Sequence, residues 1–105
     1  YIMKLITKQL EKELAKYPLY SQDSKGDNAI AVCKFFLQGY TWYVLEAEKN
    51  SDDYEFYGIT VGQFAELGYF TLSQLESVTG QWGLRVERDR GFKPTKVKDL
   101  HLDIV

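Results

Sequence analysis

A single cysteine, Cys33, can close no internal disulfide, and a single histidine, His101, cannot join it in the clustered Cys/His sets that hold zinc. No metal is therefore expected, and a reducing cytoplasm suits the chain. Cys33 sits in an apolar run and reads as a small buried hydrophobe rather than a reactive thiol. His101 falls in a terminal amphipathic segment, a place for surface or packing roles more than for a catalytic base. Gly58, Gly62 and Gly68 fit neither GxGxxG nor the GxxxxGK phosphate loop, and no lysine follows them to meet a phosphate. They read as punctuation in strands. The acids Glu66, Glu87 and Asp89, with Arg85 and Arg88 near them, suit structural ion pairs better than acid–base work. No enzymatic activity and no cofactor are expected. No apolar run approaches bilayer length, and the first residues lack the regions of a signal peptide, so a soluble protein with no membrane partner is expected.

Against those absences stand 45% hydrophobic residues and sixteen aromatic rings in 105 residues. That is too apolar for disorder and enough for one modest core, so residues 3–105 are expected to form a single domain. Tyr1 and Ile2 precede Met3, which reads as the natural start. The net charge is only −2, but it is unevenly spread. Residues 46–55 carry five acids against Lys49, and residues 85–98 carry six bases against Glu87 and Asp89.

Local patterns predict a helix, then strands, then helix, short strand and helix. In TKQLEKELAKYP, Thr7 can cap a helix whose stripe runs through Leu10, Leu14, Ala15 and Tyr17, with Pro18 ending it. LYSQDSKGDN is a turn-rich loop. Ala29–Phe36 and Thr41–Glu48 form a hairpin through the tight LQGY connection, and YEFYGITV and ELGYFT add two more strands. Thr71 and Gln74 make a capping box that starts a second helix, with Leu72, Leu75 and Val78 on one face and Gly80 as its left-handed close. GLRVERD has the period of a short edge strand, and PTKVKDLHL that of a closing helix. The expected fold is α+β: an antiparallel meander of four to five strands with about three short helices packed on it.

Both faces of that sheet are apolar. Tyr43, Leu45, Ala47, Tyr57, Ile59 and Val61 share one parity and are read as the core face; Trp42, Val44, Tyr54 and Phe56 share the other. The second set is covered either by the chain or another subunit, or it is an aromatic surface for a partner. Two binding readings follow. In the first, the acidic stretch with its neighbouring rings, Glu46, Glu48, Asp52, Asp53, Tyr54, Glu55 and Phe56, meets a protein partner. In the second, Trp42 and Phe56 beside Lys34 stack single-stranded bases while Arg85, Arg88, Arg90 and Lys93 track phosphates.

The segments KFF, TWYVLEAE, FYGITVGQFAELGYFTLSQLESV, GLRVERDRGFKP and VKDL, spread from Lys4 to Leu100, resemble a family of small proteins of unknown function carried by plasmids, phages and conjugative elements. The most specific pieces are Glu66-Leu67-Gly68-Tyr69-Phe70 with Leu72, and Glu87-Arg88-Asp89 with Phe92. Relatives often carry a longer, Pro-containing loop where this chain has LQG. The chain also resembles an anti-CRISPR member of that family that acts against the type II-A RNA-guided nuclease. What the resemblance implies is a stoichiometric inhibitor in the cytoplasm of a bacterial host, whose partner is the type II-A effector or its guide RNA complex. It supplies no catalytic residues.

Overall fold

Thr7 opens the first helix as the sequence predicts: its hydroxyl accepts from the Leu10 N–H at 3.2 Å, and α1 runs over Lys8–Leu14. The computed structural model describes residues 3–105; Tyr1 and Ile2, read above as preceding the natural start, lie outside them. Leu10 and Leu14 are buried, while Ala15 is exposed beyond the last turn. Seven strands follow: β1 (Ile30–Ala31), β2 (Cys33–Leu37), β3 (Tyr40–Asn50), β4 (Asp53–Val61), β5 (Ala65–Thr71), β6 (Glu87–Arg88) and β7 (Thr95–Lys96). Helix α2 (Leu72–Ser77) sits between β5 and β6, and Val97–Leu100 forms a closing 3-10 turn in place of the expected helix.

The main sheet is antiparallel, in the order β5-β4-β3-β2-β6. The first hairpin turns on two residues, Gln38 and Gly39, with Leu37 opposite Tyr40. The strand expected over Ala29–Phe36 is divided. Its first part, β1, leaves the main sheet and pairs with β7 in a two-stranded ribbon. The capping box at Thr71 and Gln74 is present in both directions, but α2 ends at Ser77 with Val78 extended. Gly80 is therefore no helix close: its backbone is extended, and Val78 is exposed rather than part of the buried face of Leu72 and Leu75.

The helices cover the face that carries Val44 and Phe56. α1, α2 and the segment around Leu5 and Ile6 pack on Phe35, Val44, Phe56 and Phe70, and Trp42 lies half-buried at the edge of that cluster. The other face, with Tyr43, Leu45, Tyr57, Ile59 and Val61, is covered by Ala29, Ala31 and the C-terminal stretch from Phe92 to Ile104. The chain itself thus clothes both apolar faces. A bulge between Val44 and Glu46 decides the sharing of residues along β3, because Val44 pairs with Gly58 while Glu46 pairs with Tyr57. One extra residue inverts the alternation, so Ala47 joins the helix face and Glu46 turns to the other. Gly58 sits at this kink, where a Cβ would overlap the Tyr43 carbonyl. Cys33 is buried and its thiol is pushed up to about 12 by desolvation, in keeping with an inert hydrophobe.

Candidate docking surface

The acidic stretch resolves into structural and surface residues. Glu46 is 2% exposed and accepts the N–H groups of Tyr20 and Gln22, each at 2.8 Å. Beside it the Gln22 amide donates to the carbonyl of Leu45, in the bulge, and to that of Ile30 on β1, and accepts from the Ile30 N–H, satisfying backbone groups of both strands. Glu46 thus straps the 20–22 loop, and its carboxylate lies below the surface of the acidic hairpin. Phe56 is fully buried, with ring centroids 5.5, 5.7 and 6.1 Å from Phe70, Tyr54 and Phe35. Tyr54 is buried too; its hydroxyl donates to Glu11 Oε2 at 3.0 Å, and burial, then that bond, pushes it up to about 12. Neither ring is offered to a partner, since both lie on the face that α1 and α2 cover.

Asp53 is occupied as well. Its carboxylate accepts from the Tyr54 N–H at 2.8 Å, the Ser73 N–H at 3.0 Å and the Ser73 hydroxyl at 2.8 Å, tying the β3–β4 hairpin to the start of α2. The Ser73 hydroxyl, then the Tyr54 amide, hold its carboxyl below the ordinary range. Glu11 is lowered likewise, first by its bond from Lys49 and then by Tyr54. Groups depressed on folding stabilise the protein above their unfolded pKa and lose that contribution as pH falls through the folded value. Thermal stability should therefore drop below about pH 4. Asp53→Asn should lower Tm at neutral pH and flatten that acid limb, measured by thermal melts across a pH series; an unchanged limb would remove Asp53 from this role. Of the acidic set, Glu48 and Asp52 remain exposed and Glu55 half-buried.

The base-stacking set is not brought together. Phe35 is opposite Trp42, and Lys34 opposite Tyr43, so Lys34 and Trp42 emerge on opposite faces of the sheet. Lys34 pairs with Asp89 at 3.7 Å and lies 5.8 Å from the Tyr43 ring centroid. Trp42 stacks on Tyr40 at 6.0 Å. Arg88 donates to the carbonyls of Lys4 and Leu5 at 3.0 and 2.7 Å, pinning the segment before α1, and Arg85 donates to Thr79 at 2.8 Å. Arg90 and Lys93 lie at the surface.

The residue that sequence reasoning passed over is Trp82, 89% exposed. Thr79 and Arg85 pair across a small antiparallel bridge, the Gly80 N–H donates to the Leu84 carbonyl at 2.8 Å, and the Leu84 N–H to the Gln81 carbonyl at 3.1 Å. This closed loop carries Trp82 at its apex in the left-handed region, φ 57° and ψ 27°. The Gln81 N–H reaches Gln38 Oε1 at 3.4 Å, which braces the loop on the β2–β3 turn. A bulky residue held at positive φ with its ring in water marks a site where the surrounding structure over-determines the backbone. Leu84 is exposed beside it in the loop. The signal in the sequence was GQWG, an indole between two glycines.

A family model described as protein of unknown function, DUF2958, matches residues 5–103. The chain belongs to the DUF2958 family. The match spans the loop of Trp82, the acidic hairpin and both helices of this DUF2958 chain. No curated protein and no solved structure matched it. Among the described residues no helix is long and apolar enough to cross a membrane, and no group of three or more His, Cys, Asp and Glu is placed to hold a metal ion.

Proposed function

We propose that this DUF2958 protein, as a product of a mobile genetic element, acts as a stoichiometric anti-CRISPR inhibitor that docks on a type II-A RNA-guided nuclease or its guide complex. The observation that carries a docking role is Trp82, a fully presented indole on a braced loop. Large aromatic residues held rigidly in solvent are the side chains that anchor protein interfaces, because they bury much area for little lost rotamer freedom. The acidic residues left at the surface, Glu48, Asp52 and Glu55, add local negative charge on a hairpin that faces solvent. Such charge suits a nuclease that reads its duplex motif with arginines and holds nucleic acid in a positive channel. A nucleic-acid-binding role draws less support, since its proposed stacking rings are buried or half-buried and its lysine sits on the other face. The inhibitor works as a surface and turns over no substrate.

The test is a cleavage assay with purified type II-A nuclease, guide and target, adding the protein before or after guide loading. Cleavage should fall in proportion to the protein added and stop near equimolar inhibitor, and the order of addition identifies the blocked step. Undiminished cleavage at large excess would refute the proposal. Labelled single- and double-stranded DNA titrated across a salt series serves as the counter-test. Tight, steeply salt-dependent binding without nuclease would transfer the assignment to nucleic-acid binding through the basic segment.

A further inference from the structure

On the face of the sheet away from the helices, a cavity of about 340 Å³ opens beside the free edge of β5. Asp23, Asp27 and Glu46 line it with Tyr57, Leu67 and Ile104, and none of its eleven lining residues is basic. Glu46 meets only neutral N–H donors, and no lysine or arginine pairs with it among the described residues. Lys25, which sits between Asp23 and Asp27 in the chain, is turned to the Tyr17 ring, 5.7 Å from its centroid. Aromatic rings flank the cavity. Tyr57 and Tyr69 lie 5.0 Å apart at 55°. Tyr69, Tyr20 and Leu67 are 54%, 67% and 47% exposed.

Among the described residues, no strand pairs with the edge beside this cavity at Leu67–Tyr69. β5 is the outermost strand, and its outward-facing groups are already used at both ends: the Val105 N–H donates to the Ala65 carbonyl at 2.9 Å, and the Thr71 N–H to Gln74 Oε1 at 2.9 Å. The alternation of an antiparallel ladder then turns the N–H and C=O of Leu67 and Tyr69 outward as well. No lysine, proline or bulge blunts this strand, whereas the opposite edge, β6, is two residues long and carries Arg88. The C-terminal residues already add to it in parallel, Ile104 beside Ala65.

We propose that the β5 edge and its cavity form a docking site for an extended segment of a partner protein, which adds as a strand at Leu67–Tyr69 and places an arginine side chain in the cavity. Charge complementarity selects the occupant. Three carboxylates with no internal base favour a cation, and the neighbouring tyrosine faces suit a planar guanidinium, which stacks on rings and is less strongly hydrated than an ammonium. Strand addition supplies main-chain hydrogen bonds, and the pocket supplies side-chain selection. The site rests on the reading that this protein docks on another protein, but not on which protein that is, and its test contains no nuclease.

The probe is a short, end-blocked peptide of alternating threonine and valine with one central arginine, titrated into the full chain by calorimetry and by amide NMR. Saturable binding is expected, with the Leu67 and Tyr69 amides shifting most and affinity falling as salt is raised. Replacing the peptide arginine by glutamine should weaken binding by about tenfold or more, as should the Asp23→Asn, Asp27→Asn double variant. A lysine in place of arginine should bind between the two. Both aspartates are exposed, so the double variant should melt as the parent does; should it not, the peptide exchange decides alone. Equal affinity for the arginine and glutamine peptides, shifts centred on Trp82 instead of β5, or no saturation at millimolar peptide would each overturn the proposal.

Discussion

Replacing Phe56 by alanine is expected to cost about 3 to 5 kcal/mol of folding stability, the range for truncating a large ring in a closed core. Phe56 is fully buried on β4, and its ring meets Phe35 on β2, Phe70 on β5 and its own neighbour on the face, Tyr54. The cavity left behind would be bounded by these rings and by the helices that cover them, and strands locked by ladder bonds on both sides of β4 have little freedom to collapse into it. Denaturant unfolding of the variant measures the loss. A cost under about 1 kcal/mol would mean that the Phe56 ring is not packed as described, and would restore it as a surface aromatic. The same substitution separates stability from the proposed docking: at a temperature where it remains folded, the variant should behave as the parent does in the nuclease assay, because the chain encloses the Phe56 ring.

Trp82→Ala should do the reverse, leaving Tm nearly unchanged and weakening docking by about 2 kcal/mol or more, on the order of 30-fold. The ring is 89% exposed, so its removal opens no cavity. The loop that holds it is closed by backbone bonds between Gly80 and Leu84 and between Leu84 and Gln81, none of which uses the indole. Alanine still has to adopt φ near 57°, so Trp82→Gly is the companion variant: it relieves the left-handed backbone and should be at least as stable while equally poor at docking. Inhibition curves for the two variants and for Asp52→Lys, read against the parent, divide the surface between the loop and the acidic hairpin. If both Trp82 variants inhibit as the parent does while Asp52→Lys fails, the anchor is the hairpin. If all three inhibit normally, docking uses neither surface, and the β5 edge becomes the first place to look.

Much of the fold was legible because it is written in short-range chemistry. The Thr7 cap, the Thr71–Gln74 box, the two-residue turn at Gln38-Gly39 and the period-two strands β3, β4 and β5 all depend on residues within a few positions of one another, and each appears where its local pattern places it. The membership in a family of unknown function was likewise carried by sequence. The resulting antiparallel α+β meander follows from these elements, since consecutive strands joined by short turns have few other ways to pair.

What the tertiary structure alone decided is which face each residue serves. Period two states that Tyr43 and Trp42 point apart, but not which of them the helices cover, because that depends on contacts tens of residues away. The bulge at Leu45 then inverts the alternation midway along β3, and its stabilising partners, Gln22 and the backbone of Tyr20, come from a loop whose composition reads only as turns. For this reason Glu46, Tyr54 and Phe56, which local pattern offers as candidates for a partner surface, are buried, and Asp53 is committed to α2. β1 found its partner in Thr95–Lys96, over sixty residues later in the chain, which no local pattern announces. Trp82 is likewise placed by tertiary structure: the closed loop around it, assembled from Thr79, Gly80, Leu84, Arg85 and a brace from Gln38, holds its ring in water.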